Sequence, residues 1–414
     1  MSSNNLDKIE EVSTWINTCG DYLEDLQEFT NEQVMPRRYK GQELEEAVSV
    51  SSTTTIYTAE AEGRIPKGER DSRNRRLGAT LSEVLKMQEY FNTSPRRKGN
   101  EEPQIISFTN FKGGCYKSTT SLYAGSYYAN LGYRVLLVDL DPQASLTLTS
   151  GLFPDVDSSY ELSMAPFIAE DSDFLLEDIR KVVKNTYLPN MDIIPSCLEL
   201  AGVEFELSNE IIKARTNNDR DQIANIFFRV RDALAHVKYD YDLIILDGTP
   251  SLGLLPLNII LSSDTVIVPV PTEPVDFAST RSFCKLYLQQ AEILNEFFGE
   301  AIPLPDMYIL PTRYSPSEYH ATVSSQEILT AVRDIFGVKC LSTVVRKHES
   351  VVSNLSFFRR TVFDVNAGDC NVSREARKKA MSNFKTVFDE ILEKIVFPKW
   401  ESKRTQLEDK GIVR

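Results

Sequence analysis

Two lysines, Lys112 and Lys117, flank a pair of glycines in the stretch Phe108-Thr-Asn-Phe-Lys-Gly-Gly-Cys-Tyr-Lys-Ser-Thr-Thr120, and that grouping can hold a polyphosphate. The apolar run 104–108 ahead of it reads as a buried strand, and residues 118–131 read as an amphipathic helix. Strand, glycine turn and helix start make a phosphate cradle. The backbone N–H groups of Gly113, Gly114, Cys115, Tyr116 and Lys117 face the anion, assisted by the partial positive charge of the helix N-terminus. In such a cradle Lys117 reaches the β- and γ-phosphates, Ser118 ligates Mg2+, and Thr119 lies in the same binding stretch.

Carboxylates at two other strand ends complete the chemistry. Val138-Asp-Leu-Asp-Pro-Gln143 puts Asp139 and Asp141 at the C-terminal edge of a strand, where parallel sheets bind their ligands. Leu243-Ile-Ile-Leu-Asp-Gly-Thr-Pro250 is four apolar residues ending in an acid, the form of a Walker B motif, and Asp247 would hold Mg2+ through a water. The usual phosphate-loop spacing nevertheless fails, because Phe111 and Tyr116 stand where it wants glycines. The arrangement with Lys112 ahead of the glycines resembles the deviant Walker A motif of the ParA/MinD ATPases. That resemblance implies ATP, ADP and Mg2+ as cofactors, weak basal hydrolysis, and a homodimer in which Lys112 reaches the partner's nucleotide. It further implies that Asp141 positions or activates the attacking water, with Asp139 as support.

Positioning these groups requires a sheet. Apolar runs at 104–108, 134–140, 191–194, 243–246, 265–270 and 307–310 alternate with longer helical stretches. Strands that are apolar throughout fit a mostly parallel, doubly wound α/β sheet covered on both faces. The expected ATPase domain spans 100–401, followed by a charged tail, 402–414.

Residues 6–29 place Ile9, Val12, Ile16, Cys19, Leu23 and Leu26 at spacings of three and four, a narrow helical stripe on an acidic background. Such a helix, within a unit 1–38, either pairs with its copy or packs on its own domain. Residues 39–99 hold short helices at 41–48 and 53–62, an arginine-rich hairpin candidate at 64–80 and a helix at 81–91, and 94–103 is polar and twice interrupted by proline, as a linker would be. The segments Ile56-Tyr-Thr-Ala-Glu-Ala-Glu-Gly-Arg-Ile-Pro66 and Arg75-Arg-Leu-Gly-Ala-Thr-Leu81 resemble the winged helix-turn-helix of large, type Ia plasmid ParA proteins. Thr54, Tyr57, Arg64, Arg73, Arg75 and Arg76 would then meet operator DNA; a basic patch without a ligand is the other reading. For non-specific DNA the candidates are Arg346, Lys347, Arg359 and Arg360, with Arg377-Lys378-Lys379 as a weaker run. Segments at 192–200, 268–273, 360–363 and 398–400 extend the resemblance over roughly 40–400. The family function it implies is DNA segregation: hydrolysis stimulated by a centromere-bound ParB-type partner, and autorepression through the winged helix.

Composition narrows the rest. With 414 residues, 42% hydrophobic and 26% charged, the chain can bury a large core, and its net charge of −14 argues against wholesale coating of nucleic acid. The average hides a basic segment between Arg64 and Lys98, so local charge is what informs. Six scattered cysteines are expected reduced; Cys115 is either a redox-sensitive thiol or a small residue filling a tight turn. His236, His320 and His348 match no ligand spacing. A membrane-cycling MinD-like enzyme would need a basic amphipathic anchor at the C-terminal end, whereas 388–400 carries a short stripe among acids. The first residues, Met-Ser-Ser-Asn-Asn, lack signal-peptide character, so an intracellular protein is expected, and the resemblance implies a cytoplasmic, nucleoid-associated one. A nucleotide-gated repressor without motor activity is the serious rival.

Overall fold

A strand covered on both faces has no face to offer water, and all five residues of Gln104–Phe108, polar Gln104 and Ser107 included, are buried in the computed structural model of the chain. The structure describes residues 3–154, 156–251, 253–298, 304–316, 319–320 and 323–404. Ahead of that strand lie α1 (Ser3–Gln33), α2 (Gln42–Val48), α3 (Thr53–Ala61) and α4 (Leu81–Phe91). Then come β1 (Gln104–Phe108), α5 (Lys117–Leu131), β2 (Val135–Asp139), α6 (Ser145–Thr149), α7 (Ala165–Ala169), α8 (Ile179–Val182), β3 (Lys184–Asn185) and β4 (Met191–Ile194). The chain continues through α9 (Leu200–Thr216), α10 (Arg220–Ala235), β5 (Leu243–Asp247), α11 (Leu254–Ser262), β6 (Thr265–Pro271), α12 (Pro274–Phe298) and β7 (Asp306–Thr312). It closes with the small pair β8 (Tyr319–His320) and β9 (Val323–Ser324), then α13 (Ser325–Phe336), α14 (Glu349–Phe357) and α15 (Arg374–Ile391).

Each of the six apolar runs expected as a strand is one, and among the described residues they join β3 in a seven-stranded sheet in the order β3-β4-β2-β5-β1-β6-β7. Every pairing is parallel except β3 with β4. That antiparallel edge escaped the sequence reading because two residues carry no periodicity. The register aligns Asp139 with Asp247 and Phe108 with Asp247, so the ends of β1, β2 and β5 stop at one level.

Helix α5 departs from expectation. It is not amphipathic: residues 120–130 are all buried. One side rests on the sheet, where a Cβ at Gly125 would strike Leu137, and the other is covered by α15, with Tyr123 and Tyr127 against Phe384, Phe363 and Phe388. Its C-terminal end abuts the N-terminal helices. Gly132 closes it with φ 114°, and Gln88 of α4 donates to the Leu131 and Ala47 carbonyls at 2.9 and 2.7 Å.

Residues 39–99 fold as α2, α3, a hairpin termed the wing, and α4. The Thr-rich α3, poor helix material by propensity, is started by Ser52, whose side chain accepts from Thr54 N–H, and by Glu45, which accepts from Thr53 N–H at 2.7 Å. The wing is a short hairpin with a bridge between Arg70 and Arg76, and Asp71 shapes its tip by accepting from the Arg73 and Arg75 N–H groups. A capping box between Thr80 and Glu83 starts α4. Apolar residues of this unit share one continuous core with the ATPase region, from Leu44, Ile56 and Val84 to Phe388 and Trp400.

Residues 94–103, expected as a linker, are pinned. Arg97 donates to the carbonyls of Tyr239 and Tyr241, the Glu102 carbonyl accepts from Trp400 Nε1 at 2.8 Å, and Glu101 accepts from Ser402. Helix α1 runs as the sequence predicts; the first part of its stripe is exposed, Ile9 at 55% and Ile16 at 66%, while Leu23 and Leu26 are half-buried.

This shared core predicts one cooperative unfolding transition for residues 39–99 and the sheet region together. A Cβ at Gly132 would lie 2.2 Å from Gln88 Oε1 on a positive-φ backbone. Gly132→Ala should therefore lower stability by roughly 1–3 kcal/mol. Calorimetry checks both: two resolved transitions, or an unchanged Tm in the variant, would contradict this coupling.

Candidate nucleotide-binding site

The loop between β1 and α5 has the backbone that its sequence obscures. Gly114 has φ 74° and Tyr116 φ 70°, both left-handed. Tyr116 stands where a glycine is usual, so this position needs positive φ and takes it in a non-glycine residue, a strain of order 1–2 kcal/mol. The Arg313 guanidinium lies 5.9 Å from the Tyr116 ring centroid, and the loop is gripped further by Arg313 Nη1 on the Gly114 carbonyl (3.3 Å) and Thr312 Oγ1 on the Cys115 carbonyl (3.2 Å). These two residues end β7 on the same sheet edge as the carboxylates. Sequence reasoning missed them, although their place after an apolar run was a usable signal.

Lys117 is buried at 6% exposure, and its Nζ donates to the Lys112 carbonyl at 2.9 Å across the loop. The first backbone bond of the helix, Thr120 N–H to the Tyr116 carbonyl, leaves the N–H groups of Lys117, Ser118 and Thr119 ahead of it as the donors every helix start offers. Cys115 is buried, its Sγ on the Lys112 carbonyl, and burial pushes its thiol pKa up. A protonated, enclosed thiol fits the small turn-filling residue better than a redox sensor.

Asp247 is fully buried. Its Oδ1 accepts from Ser121 Oγ at 3.0 Å, and its Oδ2 has no hydrogen-bond partner among the described residues. Burial first, and then the Asp139 carboxylate beside it, hold Asp247 well above the usual carboxylate range; Ser118, Ser121 and Lys117 oppose that shift. A buried carboxylate with an unpartnered oxygen, flanked by the Ser118 hydroxyl, is the chemistry a hydrated Mg2+ would complete, so the residues fit that ion. Asp139 is pushed up to about 7, chiefly by burial, although Thr147 N–H and Oγ1 (2.8 and 2.7 Å) and Asp141 N–H (3.1 Å) donate to it. Asp141 is also raised by desolvation, with Gln143 N–H and Lys117 pulling it down. Lys117, Asp141 and Asp247 are thus brought together at one edge; Lys112 lies at the rim, half-buried.

The candidate DNA residues divide. In α3, Thr54 and Tyr57 are exposed; Arg64 pairs with Glu62 and Tyr90, Arg73 is exposed, and Arg75 pairs with Asp71 while 71% exposed. Arg76 is inside the wing, paired with buried Glu60 and stacked on Tyr57. Arg346 is exposed and Lys347 pairs with Glu273 at 3.1 Å. Arg360 sits over Tyr187 at 4.2 Å, and Arg359 is buried, 4% exposed, over Phe153 at 4.1 Å.

A family model described as an AAA domain matches residues 103–295. SopA of Escherichia coli K12 is 32% identical over 369 residues, covering 88% of this chain and 90% of that one. The chain belongs to the type Ia ParA-like ATPases. A solved structure described as a partition protein shares the fold of this ATPase over 92% of its length and 98% of its own, with a TM-score of 0.62 at 18% identity. Cobyrinic acid a,c-diamide synthase from Mycobacterium smegmatis, solved with bound ATP analog and magnesium, aligns over 70% of this ATPase and 94% of its own chain at 25% identity and TM-score 0.52.

The raised carboxylates make a pH prediction. An Asp with a folded pKa near 7 and an unfolded one near 4 contributes stability that is complete below about pH 4 and is lost as pH rises through about 7. In nucleotide-free, Mg2+-free protein, Asp139→Asn should therefore gain on wild type between pH 5 and pH 8 in urea-midpoint measurements. A difference that stays constant with pH would overturn the assignment.

Proposed function

We propose that this ParA-like ATPase is a DNA-segregation motor. In this reading it pairs as an ATP-dependent homodimer, binds DNA without sequence preference in that form, and hydrolyses ATP under stimulation by a centromere-bound ParB-type protein. Its winged helix would also repress its own operon. The observation that carries the reading is the second lysine: Lys117 already serves the cradle, and Lys112, whose carbonyl holds it, brings a further positive charge to the loop rim that a one-chain site does not require.

The nucleotide is ATP with Mg2+. Lys117 and the helix-start N–H groups would hold the phosphates, while Ser118 and Asp247 would hold the hydrated metal. Bound Mg2+ would supply charge neutralisation at the β/γ-phosphates. Asp141, desolvated at the strand end, orients the attacking water through a hydrogen bond. Lys112 acts on the nucleotide of the partner protomer, which makes oligomeric state depend on ATP.

Helix α1 supplies a second dimer contact. Its exposed Ile9, Val12, Trp15 and Ile16 fit pairing with the same helix of another copy better than packing on their own domain. Thr54 and Tyr57 on α3, with Arg64, Arg73 and Arg75, form the operator surface. Arg346 leads the non-specific surface, with Lys347 and Arg360 beside it. Among the described residues no helix is long and apolar enough to cross a membrane.

The test is ATP hydrolysis with and without DNA and the ParB-type protein. Lys117→Ala and Asp141→Ala should each lose on the order of 10²–10³-fold, and Lys112→Ala should lose stimulation. Turnover that no partner stimulates would leave a nucleotide-gated repressor, and full activity in Lys112→Ala would remove the shared site. For the operator, Arg73→Ala and Arg75→Ala should each weaken binding and reduce the salt slope by about one, read by anisotropy across salt.

A further inference from the structure

Arg359 is in an unusual position for a surface cation. It follows the end of α14 with φ 53°, a left-handed backbone that a long side chain rarely takes, and only 4% of it is exposed. Its guanidinium lies over the Phe153 ring at 4.1 Å, and its Nη1 has no hydrogen-bond partner among the described residues. Burial, with Arg360 alongside, depresses its pKa, and Asp157 opposes that only in part. A strained backbone and an unsatisfied buried charge both oppose this arrangement, and stacking on an aromatic face favours it. Opposing contributions of similar size leave the arrangement readily biased by a ligand.

Phe153 is itself tied to the phosphate edge by a continuous set of hydrogen bonds. Asp141 N–H donates to Asp139 Oδ1, and Asp139 Oδ2 accepts from Thr147 N–H and Oγ1. The Thr147 carbonyl accepts from Leu152 N–H at 3.2 Å, and Leu152 directly precedes Phe153. Asp157 then fixes Phe153 by accepting from its N–H at 2.7 Å. The carboxylate beside the nucleotide loop and the ring over Arg359 are therefore ends of one short relay through α6. Asp139 joins the two halves of this relay, accepting from Asp141 on one side and Thr147 on the other.

We propose that Phe153 is a lock that withholds Arg359 from DNA phosphates, and that the Asp139–Thr147–Leu152 relay opens it when the phosphate site is filled. This rests on the reading that the ATP-bound protein binds DNA non-specifically; it adds how that surface is switched. In the locked state Arg346 is exposed and Arg359 is not. Release adds one phosphate contact from a residue beside Arg360.

The test uses the full chain and a duplex of arbitrary sequence, with affinity read across salt without nucleotide, with ADP, and with a non-hydrolysable ATP analogue plus Mg2+. Phe153→Leu keeps an apolar side chain but loses the aromatic face. It should raise nucleotide-free DNA affinity several-fold and steepen the salt slope by about one contact. Adding Arg359→Ala should cancel that gain, and Arg359→Ala alone should weaken only the ATP-analogue state. Thr147→Val should erase the difference between nucleotide states.

Phenylglyoxal labelling of Arg359 in the wild type, followed by mass spectrometry, reads the lock directly and must rise with ATP analogue and Mg2+. It also covers the case in which Phe153→Leu fails to fold. Wild-type DNA binding that responds to ATP, with labelling and affinities indifferent to Phe153 and Arg359, would overturn the lock and leave the DNA reading standing. Absence of DNA binding by the wild type in every nucleotide state would overturn the DNA reading and the lock with it.

Discussion

Two carboxylates buried side by side set the terms for this site. Asp139 and Asp247 are in register on adjacent parallel strands, both fully enclosed, and each raises the cost of ionising the other. Taking like charges out of water together is unfavourable unless donors or a cation compensate. Asp139 is compensated internally by Thr147 and Asp141, whereas Asp247 keeps an oxygen with no partner among the described residues. The division of labour follows from that difference. The satisfied carboxylate organises the α6 segment, and the unsatisfied one is the group a divalent cation would complete. The phosphate loop, with Lys117 folded back onto the Lys112 carbonyl, closes over the same edge.

Helix α5 carries that edge into the rest of the molecule. It begins at Lys117 and ends at Gly132, where Gln88 of the winged unit is fastened to it. Near its middle, Ser126 and Asn130 donate to buried Asp364, which also accepts from Tyr187 and Thr361, and Tyr39 at the start of the winged unit bonds Asn130. A buried polar network that is well satisfied specifies one arrangement of its members. One helix thus links the phosphate loop at its start to residues 39–99 at its end.

Much of this was legible because short, uniform signals carry it. Uninterrupted apolar runs at 135–138 and 243–246 are satisfied inside a sheet, and the acids immediately after them, Asp139 and Asp247, are at its edge. Lys112, Lys117 and Ser118 were readable because backbone phosphate cradles demand fixed spacing. The reading of α5 as amphipathic was wrong since a helix covered by sheet, α15 and winged unit has no wet face, and its own sequence does not announce three neighbours. Arg76 and Arg359 were counted as basic surface, yet Glu60 holds one inside the wing and Phe153 covers the other. Charge type is visible in a sequence; the aromatic or acid that captures it lies tens or hundreds of positions away.

The sequence by itself determined the six parallel strands, the phosphate loop with its two lysines, and the acids that end β2 and β5, because each is set by local periodicity or by spacing within a dozen residues. Only the tertiary structure decided the rest. The pairing of Asp139 with Asp247, the grip of Thr312 and Arg313 on the loop, the anchoring of the winged unit on α5 and the burial of Arg359 all join residues distant in sequence. Such contacts exist only once the sheet order and the packing of helices on it are fixed.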